Sequence, residues 1–372
     1  VSAPLRAPGA LSPDAVDATM MRRCLELAAQ AEGRTAPNPM VGAVIVADGA
    51  VIAEGWHHAP GLAHAEVDAL SKVAGRAPGA TMYVNLEPCC HHGRTPPCTD
   101  AILASGVHRV VVGMVDPDPR VSGEGISILR QAGVDVVVGV EEAACRALNL
   151  GFLRAQETGR AAVVLKAAIT LDGRIAAADG RSQWITGPQA RAAGHALRDR
   201  CDAVMVGRGT LLADDPSLTT RGIEGGRNAR PVLLDSMLRC PPDARVLRAG
   251  LRPLVFASQH APEVADLPAD VVRVSHTDAG LDLVAVLQEL ARRGLQTVLV
   301  EGGAQVHRSL LDAGLVDRVH LFVAPKLLAG GPGWIGGAPY SLDAAPGLSL
   351  VDVRRHGDDL ELILEPPCSP GS

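Results

Sequence analysis

The chain has 372 residues, 47% of them hydrophobic but only 2% aromatic, with a formal net charge of −6. That length fits two domains whose cores are filled by Val, Leu, Ile and Ala rather than rings. The acidic balance, the absence of Lys/Arg runs and the shortage of aromatic stacking surfaces exclude a typical polynucleotide binder, no apolar run reaches the roughly 18 residues of a membrane span, and a small phosphorylated ligand needs only a few local cations.

Residues 1–13 read as a loose tail, with Ser12-Pro13 starting a helix over 14–31. Strands follow over 41–46 and 51–56, around the Asp48-Gly49 turn. Helix and strand then alternate: helix 65–73, strand 81–86, helix 98–105, strand 109–113, helix 125–132, strand 134–138 and helix 141–149. This is the pattern of an α/β layer with helices covering a sheet. It restarts around 157–160, which sets domains at 14–157 and 158–366. The second half reads as strand 162–169, helix 188–200, strands 203–206, 231–234 and 253–256, helix 281–292, strand 297–301, helix 305–313, strand 318–323, and strands near 348–353 and 361–364. The halves are unlike in sequence, and no internal repeat is visible.

The first half carries a metal signature. His64-Ala65-Glu66 is followed by Glu87-Pro88-Cys89 and then Cys98. One His and two Cys can hold Zn²⁺ and leave the fourth tetrahedral position to water, whereas a structural zinc usually takes four protein ligands. Glu66, two residues past the His, suits a non-ligating carboxylate that moves the water's proton. H-x-E followed by P-C and a further Cys is the pattern of zinc deaminases acting on amino-substituted pyrimidines and purines, although the usual Cys-x-x-Cys is here stretched to nine positions. Cys90, His91, His92, His57 and His58 are alternative ligands, and His91 to Arg94 reads as a loop that contacts a ligand or is merely solvated. His64, Glu66 and Cys98 fall at helix starts, where exposed N–H groups favour thiolates and other anions. Eight scattered cysteines and a thiolate site together imply a reducing, cytoplasmic setting.

In the second half, the strand ending in Val300 runs into Glu301-Gly302-Gly303 and a helix. That turn would let a phosphate approach, but it is not G-x-G-x-x-G and is equally an ordinary tight turn. Lys166, in an apolar strand, reads as functional or as a strand-edge residue with a solvated head. The stretch from Met205 to Pro216 crowds two glycines, Thr210, Asp214 and Asp215 at a strand–helix junction, which is either a ligand site or a capped turn.

The strings HAEVDAL, LEPCCHHGRTPPCTDAI, APNPMVGAV, VVGMVDPDPRVSGEGI and LNLGF resemble the deaminase half of the bifunctional riboflavin-biosynthesis deaminase/reductases. LKAAITLDGRIA, SQWITG, LLADDPSLTTR, VEGG and APKLL resemble the reductase half; the visible departure is Cys90, where Ser is expected. The resemblance covers roughly residues 14–365 and implies an α/β protein with a cytidine-deaminase-like domain and a dihydrofolate-reductase-like domain. It implies removal of the 2-amino group of 2,5-diamino-6-ribosylamino-4(3H)-pyrimidinone 5′-phosphate, then NADPH-dependent reduction of the ribosyl group to ribityl. His64, Cys89 and Cys98 would bind zinc, and Glu66 would shuttle protons. Asn38, His57, His91 and Arg94 would hold the first substrate. Ala168, Trp184, Thr210, Asp214, Ser236 and the run Gly303, Ala304, Gln305, Val306, His307, Arg308 and Ser309 would contact NADPH. Ser182, Arg198, Leu218, Arg221 and Glu301 would line the second substrate, with Lys166 orienting or protonating the sugar. The implied partners are small phosphorylated pyrimidines, not nucleic acid or membrane, and a homo-oligomer is compatible. The rivals are a nucleoside or tRNA deaminase with an accessory domain, a zinc-stabilised scaffold, and a deaminase joined to an inactive reductase.

Overall fold

The structure, a computed structural model, describes residues 13–92, 96–278 and 280–367; Arg94 and the segment 1–12 lie outside these. The chain divides into two compact units, Val1–Glu157 and Thr158–Ser372. No described helix is long and apolar enough to cross a membrane.

The first unit runs α1 (Pro13–Ala29), β1 (Gly42–Ala47), β2 (Ala50–Trp56), α2 (Ala65–Ser71), β3 (Thr81–Val84), α3 (Cys98–Ser105), β4 (Arg109–Val112), α4 (Glu124–Gln131), β5 (Asp135–Val138) and α5 (Glu142–Leu148), with α6 (Leu150–Thr158) at its end. The strands form one sheet in the order β2-β1-β3-β4-β5. β1 is antiparallel to both β2 and β3, while β3, β4 and β5 are parallel. Asp48 and Gly49 both take positive φ, 50° and 78°, the conformation of a two-residue hairpin turn matched to strand twist. Apolar β3 and β4 are almost wholly buried, as strands covered on both faces must be. Several expected bounds change here: α1 ends at Ala29 rather than 31 and α2 at Ser71 rather than 73. Strand β3 stops at Val84 rather than 86, and beyond it the side chains of Asn85 and Glu87 accept the N–H groups of Gly42 and Asp116. The helix expected over 141–149 ends at Leu148, and the additional helix α6 follows it.

The second unit contains β6 (Ala162–Thr170), α7 (Pro188–Arg200), β7 (Ala203–Gly207), α8 (Arg208–Asp214), β8 (Arg230–Leu234), β9 (Leu254–Ser258), β10 (Asp270–Val274) and the short pair β11 (His276–Thr277) and β12 (Gly280–Leu281). These lead to α9 (Leu283–Arg292), β13 (Thr297–Val300), α10 (Ala304–Asp312), β14 (Arg318–Ala324), β15 (Ser349–His356) and β16 (Asp359–Glu365). Nine strands form one sheet in the order β10-β9-β8-β7-β13-β6-β14-β16-β15, parallel from β10 to β14 and antiparallel through β16 and β15. β10 was not expected from the sequence; its DVVRV run is only half-buried and gives a weak apolar signal. One core, around Leu165, Met205, Phe256, Leu287 and Leu310, lies under α9 and α10. Another, around Val164, Leu197, Leu299 and Phe322, lies under α7. The turns that leave the C-terminal ends of β6, β7, β8 and β13 therefore converge along one edge of the parallel sheet, where open α/β sheets place their ligands.

Candidate active sites

In the first unit, His64 has extended backbone (φ −73°, ψ 160°) and caps the start of α2, so Glu66 lies within the first helical turn. Cys98 opens α3, and the next N–H, that of Thr99, donates to the Cys89 carbonyl at 3.2 Å. Two helix starts and the exit of β3 thus converge. The donor atoms of His64, Cys89 and Cys98 all lie within 4.8 Å of one another, the one such group among the described residues. His64 Nδ1 is 3.2 Å from Cys98 Sγ and 3.5 Å from Cys89 Sγ, and the Cys98 N–H donates to Cys89 Sγ at 3.4 Å. The Cys98 hydrogen bond pulls the Cys89 thiol down to about 4 despite burial, with His64 helping, while Cys98 is held high because it keeps the shared proton. One ready thiolate, a second thiol and an imidazole form a donor set that fits zinc and leaves one position open.

Glu66 is 3% exposed, and burial followed by the nearby Cys89 charge pushes its carboxyl up to about 7. A carboxyl balanced near neutrality can both accept and return a proton. Of the substrate candidates, Asn38 Nδ2 donates to His57 Nε2 at 3.0 Å, because His57 Nδ1–H donates to the Ala63 carbonyl at 3.0 Å and leaves Nε2 as acceptor. The His57 ring meets His64 edge-on at 5.6 Å, so this pair adjoins the metal group without joining it. His91 is half-buried, and its Nδ1 finds no partner among the described residues. Cys90 faces the Arg120 carbonyl, and His58 lies against the Trp56 ring.

In the second unit, a cavity of about 1250 Å³ follows the C-terminal edge of the sheet. Lys166, Ala168, Ser182, Trp184, Arg198, Thr210, Asp214, Leu218, Arg221, Ser236 and Glu301 line it, as do Gly303 to His307 and Ser309. At one end Glu301 accepts two hydrogen bonds from Arg198, Nε at 2.5 Å and Nη2 at 2.8 Å, and lies 3.8 Å from Lys166 Nζ. Burial would raise the Glu301 carboxyl, but Arg198 and Lys166 outweigh it and hold the group at about 2. At the other side the Gly302-Gly303 turn approaches Thr210 closely: a Cβ on Gly302 would lie 2.7 Å from its Oγ1, and Gly303 takes φ +85°. Gly302, Gly303 and Thr210 all line the cavity, so the start of α10 faces it without an intervening side chain from either glycine, a turn suited to a phosphate. Ser182 Oγ donates to Asp214 Oδ1 at 3.0 Å. Arg308 departs from the expected run: it turns away to Asp312, the Ala338 carbonyl and the Tyr340 ring, because α10 presents that position to the 336–340 segment.

The model of the RibD C-terminal domain matches residues 161–362, and that of the cytidine and deoxycytidylate deaminase zinc-binding region matches residues 14–114. The riboflavin biosynthesis protein RibD of Actinobacillus pleuropneumoniae is 41% identical over 93% of this chain and 94% of its own length. The chain belongs to the RibD family. The Escherichia coli member is 39% identical, over 94% of this chain and 99% of its own. A solved deaminase/reductase from Thermotoga maritima superposes with a TM-score of 0.86 at 37% identity, covering 95% of this chain and all of that one. The first unit is accordingly a cytidine-deaminase-like zinc domain and the second a RibD reductase domain of dihydrofolate-reductase-like fold, which implies a nicotinamide cofactor; together they make a bifunctional RibD of riboflavin biosynthesis.

Several further residues brace these sites. Glu87 is 3% exposed and accepts the N–H groups of Asp116, Gly123 and Ile126 at 3.2, 2.9 and 3.1 Å, tying the exit of β3 to the start of α4. Asp116 is itself buried, which pushes its carboxyl up to about 6. In the reductase unit Arg191 lines the cavity and stacks its guanidinium 4.5 Å over Trp184. Lys326 donates to the Trp184 and Ile185 carbonyls at 2.8 and 2.6 Å, holding the same loop from the other side. Only the strings containing Glu87, Asp116 and Lys326 offered a signal, and no spacing rule singled those residues out.

Proposed function

We propose that the chain carries out two successive steps on one pyrimidine: hydrolytic loss of the 2-amino group from 2,5-diamino-6-ribosylamino-4(3H)-pyrimidinone 5′-phosphate, then NADPH-dependent reduction of the ribosyl group to give 5-amino-6-ribitylaminouracil 5′-phosphate. The observation that carries this reading is the pairing of an open His64–Cys89–Cys98 group beside buried Glu66 with a separate, cation-lined cavity in the second unit.

In the first step, His64, Cys89 and Cys98 would hold zinc, which when bound would supply a water acidic enough to attack at neutral pH. Glu66 accepts that water's proton and returns it to the leaving amine, which departs as ammonia as the carbonyl forms. Its burial within the first turn of α2, two residues past His64, suits a carboxylate that takes up and returns that proton. Asn38 and His57 orient the pyrimidine, while His91 and Arg94 hold the ribose phosphate.

In the second step, NADPH supplies the hydride when bound, and the protein's task is alignment and exclusion of water. Ala168, Trp184, Thr210 and the run from Gly303 to His307 with Ser309, which line the cavity, would hold the cofactor, whereas Arg308 faces away from it. Arg198 and Arg221 suit the substrate phosphate, since a planar guanidinium pairs well with it. Lys166 holds a proton at the sugar oxygen, and Glu301 fixes both Lys166 and Arg198.

The test follows NADPH oxidation and ammonia release by wild type and Glu66→Ala, given the diamino compound or its deaminated product. The variant is expected to fail on the first and turn over the second. Ammonia release by wild type without NADPH consumption on either compound would refute the second step.

A further inference from the structure

The string Leu148-Asn149-Leu150-Gly151-Phe152 has no part in either step, yet its asparagine is 1% exposed. Asn149 sits between α5 and α6 and directs both amide atoms at one residue 109 positions earlier. Its Oδ1 accepts the Met40 N–H at 2.8 Å, and its Nδ2 donates to the Met40 carbonyl at 2.9 Å. Asn85, fully buried at the exit of β3, donates to the same carbonyl at 3.0 Å and accepts the Gly42 N–H at 2.8 Å. Met40 precedes β1 and has no ladder partner, so side-chain amides supply the bonds that a neighbouring strand would give.

The gripped segment leads directly to the substrate candidates. Asn38, two residues before Met40, donates to His57 Nε2 at 3.0 Å, and the Val41 carbonyl, one residue after it, accepts the His57 N–H at 2.9 Å. His57 in turn bonds the carbonyl of Ala63, next to the metal-group residue His64. Both contacts that locate His57 on this side therefore spring from the stretch that Asn149 holds.

We propose that Asn149 is a positioning residue for deamination: by gripping the Met40 backbone, it sets the Asn38–His57 pair against the pyrimidine. This rests on the reading of Asn38 and His57 as substrate contacts. Without the Asn149 amide, the Met40 N–H loses the acceptor that holds it, and Asn85 alone retains the carbonyl. A displacement of about 1 Å in a positioning element can cost about 10²-fold.

The test uses the zinc-loaded full chain with Asn149→Ala, Asn38→Ala and the double variant. Asn149→Ala is expected to raise KM for the diamino pyrimidine phosphate about tenfold or more, with a smaller change in kcat. Zinc should stay at one per chain, and NADPH-driven reduction of the deaminated compound should be unchanged. In the Asn38→Ala background the same substitution should add less than it costs alone, since the Asn38 contact is already gone and only the Val41 contact remains to be disturbed. Should the alanine variant fail to fold, Asn149→Asp keeps the acceptor for the Met40 N–H but loses the donor, and a raised KM is again expected. Wild-type KM in folded Asn149 variants, or effects that multiply with Asn38→Ala, would overturn the positioning role alone. Wild-type KM in Asn38→Ala would overturn the substrate reading and this inference together.

Discussion

Replacing Glu301 by Gln removes one negative charge from the end of the reductase cavity while keeping the side chain's shape. Glu301 is held at about 2 against an ordinary 4.5. Such a depression stabilises the folded state by about 3 kcal/mol at neutral pH. Little discount for solvent screening applies, since the side chains of Glu301 and Arg198 are 9% and 13% exposed. Arg198 would be left without its counter-charge, and breaking a buried pair costs about 3–5 kcal/mol. The expected loss is therefore about 3–5 kcal/mol for this unit at pH 7. Because the folded proton affinity is depressed, this stabilisation is fully present above 4.5 and is lost as pH falls toward 2. The gap between wild type and variant should fall to less than about half by pH 3. Urea unfolding followed by indole fluorescence in a Trp56→Phe background would measure it, since Trp184 and Trp334 both belong to the reductase unit. A loss under about 1 kcal/mol at pH 7, or one that stays constant on acidification, would refute the reasoning.

Stripping zinc with a chelator should abolish ammonia release while leaving NADPH oxidation on the deaminated compound intact, and one equivalent of zinc should restore the lost step. A Cβ on Gly125 would lie 2.2 Å from the Pro88 carbonyl oxygen, next to the ligand Cys89. Gly125→Ala is accordingly expected to weaken zinc retention about 10–100-fold against a chromophoric chelator, and unchanged retention would count against the Glu87 tether as a support of the site. Lys166→Met should lower kcat for reduction by about 10²-fold with KM nearly unchanged, as steady-state kinetics on the deaminated compound would measure; a rise in KM alone would assign Lys166 to binding.

The metal group was legible because ligand chemistry restricts both residue type and order: His64 and Cys98 sit at the expected helix starts, and Cys89, in the loop after β3, converges with them. The helix–strand alternation was equally plain, since β-branched runs such as the Val110–Val112 of β4 and the longer apolar run of β6 have few other interpretations. What the sequence hid were residues whose work depends on three-dimensional closure. Glu87 and Asn149 bond main-chain groups far away in sequence, and no periodicity records such a bond. Asn149 even stood at the end of an expected helix, which stops there as its side chain turns to Met40. The half-exposed β10 lacked the apolar density that marks a strand, and nothing in the run from Gly303 to Ser309 distinguishes Arg308, which faces the 336–340 segment, from the neighbours that line the cavity. The two-glycine turn was visible, but its intimacy with Thr210 required the fold.

The strand order of the second sheet also bears on how the protein is made. β13, which separates β7 from β6, is drawn from residues 297–300, although its two neighbours are complete by Gly207. The middle of the sheet is thus the part synthesised late, and the flanking strands cannot find their partners until roughly 90 further residues have emerged at about 5–20 per second. For several seconds the ribosome would carry a nascent chain with both edges of β6 and one edge of β7 unsatisfied, pairings of high sequence separation that are intrinsically slow to form. The deaminase sheet uses no strand beyond Val138 and faces no such delay. Chaperone demand and aggregation on expression should therefore arise from the reductase half, above all in chains truncated before Val300.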